Sequence, residues 1–84
     1  MESRMTIHVG WGIVYMRVTK IMTEFRDRGY FEGGKISASI DEEKDKAVFR
    51  IDGISLDNAR FLGSVLDIAT DDHVEWEHNE ENER

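Results

Sequence analysis

Residues 36–52, ISASIDEEKDKAVFRID, read as two strands with a turn between them. Ile36, Ala38 and Ile40 alternate with Ser37, Ser39 and Asp41; Ala47, Phe49 and Ile51 alternate with Lys46, Val48, Arg50 and Asp52. Successive side chains of a strand point to opposite faces, so this two-residue period gives each strand one apolar row and one polar row. The polar run from Asp41 to Asp45 has nothing to bury and joins the strands as a hairpin loop. A hairpin with one apolar face needs a cover, and the segments on either side supply it.

Upstream, Trp11, Val14, Val18, Ile21 and Phe25 recur at three- and four-residue spacings, with Arg17, Lys20, Glu24, Asp27 and Arg28 on the other side. That spacing predicts an amphipathic helix over 11–28. Gly29 stands where a left-handed C-terminal cap belongs, and Arg26 and Arg28 suit the negative end of the helix dipole. The β-branched Ile13, Val14, Val18, Thr19 and Ile21 pull toward a strand, but the period outweighs them. Before the helix, Met5, Ile7 and Val9 alternate with Thr6 and His8 as a strand ending at Gly10. After the hairpin, Asp52-Gly53 makes a turn, Ser55 is placed to cap a second helix, and Ile54 with Ala59 forms a hydrophobic staple across its start. Ala59, Leu62, Leu66 and Ala69 give that helix its apolar stripe, widened by Phe61, Val65 and Ile68. It ends near residues 70–72, and Val74 and Trp76 alternate with His73, Glu75 and Glu77 as a last strand.

The order is β-α-β-β-α-β, the order required by one four-stranded antiparallel sheet with two helices on one face. It resembles the ferredoxin-like α+β architecture over about residues 4–78. Residues 1–78 are therefore expected to form one domain, and 79–84 an acidic, frayed tail. The sheet face away from the helices collects Thr6, His8, Ser37, Ser39, Val48, Arg50, Glu75 and Glu77. Architecture of this kind carries no function by itself.

Charge is the strongest functional signal. Residues 1–40 hold six Lys/Arg against four Asp/Glu, and residues 41–84 hold five against fourteen. From Asp67 onward there are eight acids and one base, which equals the net charge of −7 of the whole chain. Such a surface repels nucleic acid and acidic membranes and attracts basic partners. There is no cysteine, so disulfides, thiolate metal sites and cysteine nucleophiles are excluded. The N-terminus lacks the apolar stretch of a signal peptide, and no run reaches the ~18 apolar residues of a membrane span. A cytoplasmic protein is expected.

The partner-binding candidates are Asp67, Asp71, Asp72, Glu75, Glu77, Glu80 and Glu81, joined by Asp41, Glu42 and Glu43 if the fold brings the hairpin close. Glu75 and Glu77 on one side of a strand stand roughly 6.6 Å apart, about twice the phosphate spacing along one DNA strand. A carboxylate row at that density could enter the basic groove of a DNA- or RNA-binding protein. Small acidic DNA-mimic inhibitors, many from bacteriophages, are similar to this chain in size and charge but share no motif with it. The plain alternative is a solvated acidic edge that keeps a small protein soluble.

The remaining constellations point elsewhere, each more weakly. His8, His73, Glu75 and Glu77 could meet on the open sheet face, where imidazole and carboxylate suit zinc or another divalent ion, without a His-Glu-x-x-His pattern behind them. Gly10-Trp11-Gly12 opens a helix after a strand, yet lacks the third glycine of a dinucleotide fingerprint and the Lys-Ser/Thr of a Walker loop. RNA binding through the sheet needs outward aromatics on the central strands, and Phe49 points inward. Ser55 and Ser64 have no legible His/Asp partners, and Asp71 and Asp72 sit at a helix end rather than in a desolvated cleft. The expectation is a non-enzymatic, cofactor-free binding protein, monomeric or homodimeric, that meets a basic protein and neither nucleic acid nor membrane. A small-molecule- or metal-sensing domain, or a structural subunit without ligand, stands as the alternative.

Overall fold

The computed structural model describes residues 2–10, 12–31, 35–71 and 74–81. The elements follow the expected order: β1 (Glu2–Gly10), α1 (Ile13–Asp27), β2 (Ile36–Asp41), β3 (Lys46–Asp52), α2 (Leu56–Thr70) and β4 (Val74–Glu81). The four strands form one sheet in the order β2-β3-β1-β4, every neighbouring pair antiparallel. This is the ferredoxin-like α+β fold.

The core is the apolar row of each strand against the inner faces of two antiparallel helices. Met5 and Ile7 of β1, Phe49 and Ile51 of β3 and Val74 of β4 are buried, with Val18, Met22 and Phe25 of α1 and Ala59, Leu62 and Leu66 of α2. Tyr15 stacks on Phe49 at 5.0 Å between ring centroids, which lays α1 over β3. At the far end of α1, Phe25 meets Phe61 of α2 at 5.3 Å and Tyr30 at 4.9 Å. Trp11, expected in the core, lies outside the described residues.

The helix ends follow the chemistry expected of them. Gly29 adopts φ 82°, its N–H donates to the Arg26 carbonyl at 3.0 Å, and the Tyr30 N–H donates to that of Phe25 at 3.1 Å. These are the paired bonds of a Schellman cap, a conformation that costs glycine nothing. The Ser55 side chain accepts the Asn58 N–H at 3.2 Å at the start of α2, and Ile54 and Ala59 are both fully buried beside it.

Three expectations need correction, and one contact was not expected at all. The apolar row of β2 is hardly covered: Ile36 is half-buried, Ala38 exposed and Ile40 44% exposed. Two helices span three strands, and the edge strand projects past them. Ile68, at 84% exposure, and Phe61, at 49%, do not widen the buried stripe of α2, because Leu62 and Leu66 set its inward direction and these two lie off that axis. Residues 79–81 are not frayed but extend β4, with Arg4 opposite Asn79, Ser3 opposite Glu80 and Glu2 opposite Glu81. His78 anchors that extension: it continues the inward series Val74, Trp76, and its Nε2 lies 2.8 Å from the Ile54 carbonyl oxygen. Finally, Gly63 in mid-helix is buried against Trp76; a Cβ there would lie 2.3 Å from the indole Nε1.

Gly63→Ala is therefore expected to lose roughly 1–3 kcal/mol of unfolding free energy through overpacking, although alanine is the better helix former. Urea denaturation checks this, and Trp76→Leu in the same chain should relieve it. Truncation after His78 should lower stability by about 1–3 kcal/mol through lost ladder bonds; a frayed tail would be removed at no cost.

Candidate functional site: the acid-rich end and the open sheet face

The register assigns every side chain of the open face. One row across the sheet reads Ser39, Val48, His8, Glu75; the next reads Ser37, Arg50, Thr6, Glu77; a third reads Asp52, Arg4, Asn79. His8 thus stands opposite Glu75, as expected, whereas Glu77 stands opposite Thr6. Arg4 donates from Nε to Asp52 Oδ1 at 2.6 Å. Among the described residues no aromatic side chain belongs to these rows, so nothing offers a base a surface to stack on. Basic Arg4 and Arg50 interleave with the acids, and the face is mixed in charge rather than a continuous carboxylate surface.

The acids gather at the end of the sheet where β1 stops. Gly10 pairs with Lys46 and Val9 with Val74, so the β2–β3 hairpin and the start of β4 lie at the same end. The last turn of α2 precedes β4 and brings Asp67 and Asp71 there too. The hairpin and Glu75 are only two strand spacings apart, about 10 Å. They line one half-open cleft together with His8, Gly10, Lys44, Asp45 and Lys46. Topology puts Asp41, Glu42 and Glu43 at the same end of the sheet as Asp67, Asp71 and Glu75, with Glu75 on the open face and Asp67 and Asp71 on the helix side. Glu77 lies one row further from that end, and the backbones of Glu80 and Glu81 belong to the opposite end of β4. Asp72 and His73 fall outside the described residues. Among the described residues no group of three His, Asp or Glu side chains is placed to hold a metal ion.

Several of these acids already have a task in the backbone. Asp41 Oδ1 accepts the Lys44 N–H at 3.3 Å, and the Asp45 N–H donates to the Glu42 carbonyl at 3.3 Å, closing the turn. Asp45 at φ 53° and Asp71 at φ 55° both occupy the left-handed region, where a short polar side chain is tolerated. Asp71 caps α2, its N–H donating to the Asp67 carbonyl. Glu42, Glu43, Asp67 and Glu75 have no such structural bond among those observed. Arg17, on the polar side of α1 and expected either in solvent or as an intramolecular partner of the acidic C-terminal stretch, donates from its guanidinium to the Ala69 carbonyl oxygen at 3.0 Å. It places a cation at the negative end of α2, whose last turn has no basic residue of its own.

Sequence reasoning missed Arg17 in this role, the His78 anchor and the Gly63–Trp76 contact. His78 could have been found by carrying the alternation of Val74 and Trp76 one step further. The other two join elements far apart in the chain and leave no local mark.

Comparison with known proteins adds to the fold. No protein-family model and no curated protein matches the chain. Among solved structures, a formyltetrahydrofolate deformylase from Pseudomonas putida matches all of the chain with a TM-score of 0.59 and 13% identity. One from Burkholderia mallei matches 93% of it with a TM-score of 0.57 and 12% identity. The chain spans 30% and 27% of the length of those two proteins. At such identity the likeness is one of fold. No helix among the described residues is long and apolar enough to cross a membrane.

Asp45→Ala and Asp71→Ala should each cost only a fraction of the roughly 1–2 kcal/mol that a left-handed backbone imposes on a residue with a Cβ, because aspartate bears a Cβ too and differs by its local side-chain hydrogen bonding. The corresponding glycine variants, which remove the same charge, should stay within a few tenths of wild type, as thermal unfolding can show.

Proposed function

We propose that this chain is a non-catalytic binding module that presents its acid-rich end to a basic surface on another protein. The observation that supports it is that Glu42, Glu43, Asp67 and Glu75, acids from separate parts of the sequence, lie at one end of the sheet with no side-chain hydrogen bond or ion pair among those observed. Carboxylates concentrated at one end attract a basic partner from a distance and orient it before contact, and salt weakens that attraction. Where the partner's basic surface is a nucleic-acid groove, the module occludes it as a DNA mimic would. Lys44 and Lys46 at the rim favour a partner that is basic with a few acids rather than uniformly cationic.

A second reading, a regulatory module that takes a small ligand, is favoured by one observation. Comparable folds occur as less than a third of longer enzyme chains. The cleft beside His8, Lys44 and Glu75 is the place for such a ligand.

Affinity capture from a host lysate, eluted by a salt gradient, separates these readings. Recovery of a basic protein that is lost with Glu42→Gln/Glu43→Gln/Asp67→Asn/Glu75→Gln, and kept with Glu24→Lys/Asp57→Lys, which changes the charge by the same four units, is expected. Capture unaffected by the acid-end substitutions at low and high salt would remove the proposal. A thermal-shift screen of small metabolites and ions, with a rise in Tm abolished by His8→Ala, would favour the second reading.

A further inference from the structure

The sheet has two edges, and they offer different things to another chain. β4 carries Glu75 and Glu77 on its open face, so a second copy laid against it would face carboxylate with carboxylate. β2 has no charge between Lys35 and Asp41 and no proline, and its register with β3 runs unbroken from Ile36 to Asp41. Five of its six residues are exposed. Edge strands normally carry a charge, a proline or a bulge that prevents pairing. This one carries none from Ile36 to Ile40, and its charges, Lys35 and Asp41, flank that run.

Its backbone is also directed outward in a definite pattern. The Asp52 N–H donates to the Lys35 carbonyl at 3.0 Å, and Lys35 stands opposite Asp52 by continuation of the β2–β3 register. In an antiparallel ladder, residues bonded to one neighbour alternate with residues directed to the other side. Lys35, Ser37, Ser39 and Asp41 therefore turn their main-chain groups to β3, and Ile36, Ala38 and Ile40 turn theirs to the free edge. Those same three residues form the apolar row that the helices leave uncovered.

We propose that β2 pairs with β2 of a second copy of this chain, antiparallel about a two-fold axis at Ala38, making one eight-stranded sheet. In this register Ala38 meets the partner's Ala38, and Ile36 meets the partner's Ile40. Ser37 meets the partner's Ser39, and Lys35 meets the partner's Asp41. Every pair is like with like where both are apolar or hydroxyl, and opposite where both are charged. All three outward residues find a bonded partner. Moving the axis to Ser37 or Ser39 leaves only two such pairs and breaks both Lys–Asp pairs. The two-fold axis also directs the two acid-rich ends away from each other, so the net charge of each copy is not concentrated at the contact. This interface uses the opposite edge of the sheet from Glu75, leaving that flank of the acid-rich end free.

Sedimentation velocity from roughly ten micromolar to one millimolar tests the pairing. Wild type should pass from monomer to dimer as concentration rises. Ala38→Lys, which sets two lysines opposite each other, should raise the dissociation constant at least about tenfold with circular dichroism unchanged. Lys35→Asp and Asp41→Lys should each weaken the dimer, and the double exchange should restore it. Because Asp41 also accepts the Lys44 N–H, each variant is checked for folding, and Ala38→Lys carries the test by itself if the exchange variants misfold. Wild type monomeric over the whole range, or a dimer indifferent to Ala38→Lys, would overturn the proposal, the latter assigning the contact to another surface.

Discussion

The structure depends on the burial of β1 between β3 and β4 and beneath the two helices. Met5 and Ile7 have no exposed surface, and Val9 is 4% exposed. Full burial of such side chains is worth about 1.5–3 kcal/mol each, a large fraction of what holds a chain of this size together. A strand with hydrogen-bonded neighbours on both sides and apolar cover on one face fixes everything around it. A slip of one residue would bring His8 and Thr6 into the core and send Ile7 to water. Through β1 the registers of β3 and β4 are set in turn, and with them the rows of the open face.

The charge arrangement follows from that frame. A hairpin and a helix-to-strand corner each need short polar residues for turns and caps, and Asp41, Asp45 and Asp71 fill those positions. The split β-α-β order then places both corners at one end of the sheet. Part of the acidity there is a by-product of turn chemistry, and the glutamates and Asp67 are what remains once it is subtracted. Arg17 at the Ala69 carbonyl tempers that end while tying α1 to α2. The opposite end holds Arg4, Lys35 and the C-terminus of α1 together with Asp52 and the backbones of Glu80 and Glu81.

Local pattern made most of the fold legible. The two-residue period in β1, β2 and β3 and the three-to-four-residue period in α1 and α2 gave the six elements and their order. Gly29 and Ser55 marked helix ends because their roles depend on atoms within a few residues. Where the reading strayed, the deciding atoms were distant. Ile40 and Ala38 are apolar in sequence as Ile7 and Val9 are, but only the width of the helical layer leaves them uncovered. Asn79, Glu80 and Glu81 look like a frayed tail until His78 meets the Ile54 carbonyl and β1 offers its N-terminal half. In the candidate site, the outward direction of Glu75 was legible from strand parity, and its place beside the first strand followed from the expected strand order. That the hairpin and the end of α2 share one end of the sheet is marked in neither segment, since it depends on how the strands run past one another.

By itself the sequence determined the element types, their order, the inward face of the central strands and the sign of the charge, because each depends on periodicity or composition. Tertiary structure decided which apolar row stays bare, which end of the sheet the hairpin and α2 acids share, how far β4 runs and that Gly63 yields its space to Trp76. Those outcomes depend on the order and width of packed layers, and residues far apart in the chain share no local signal that they will meet.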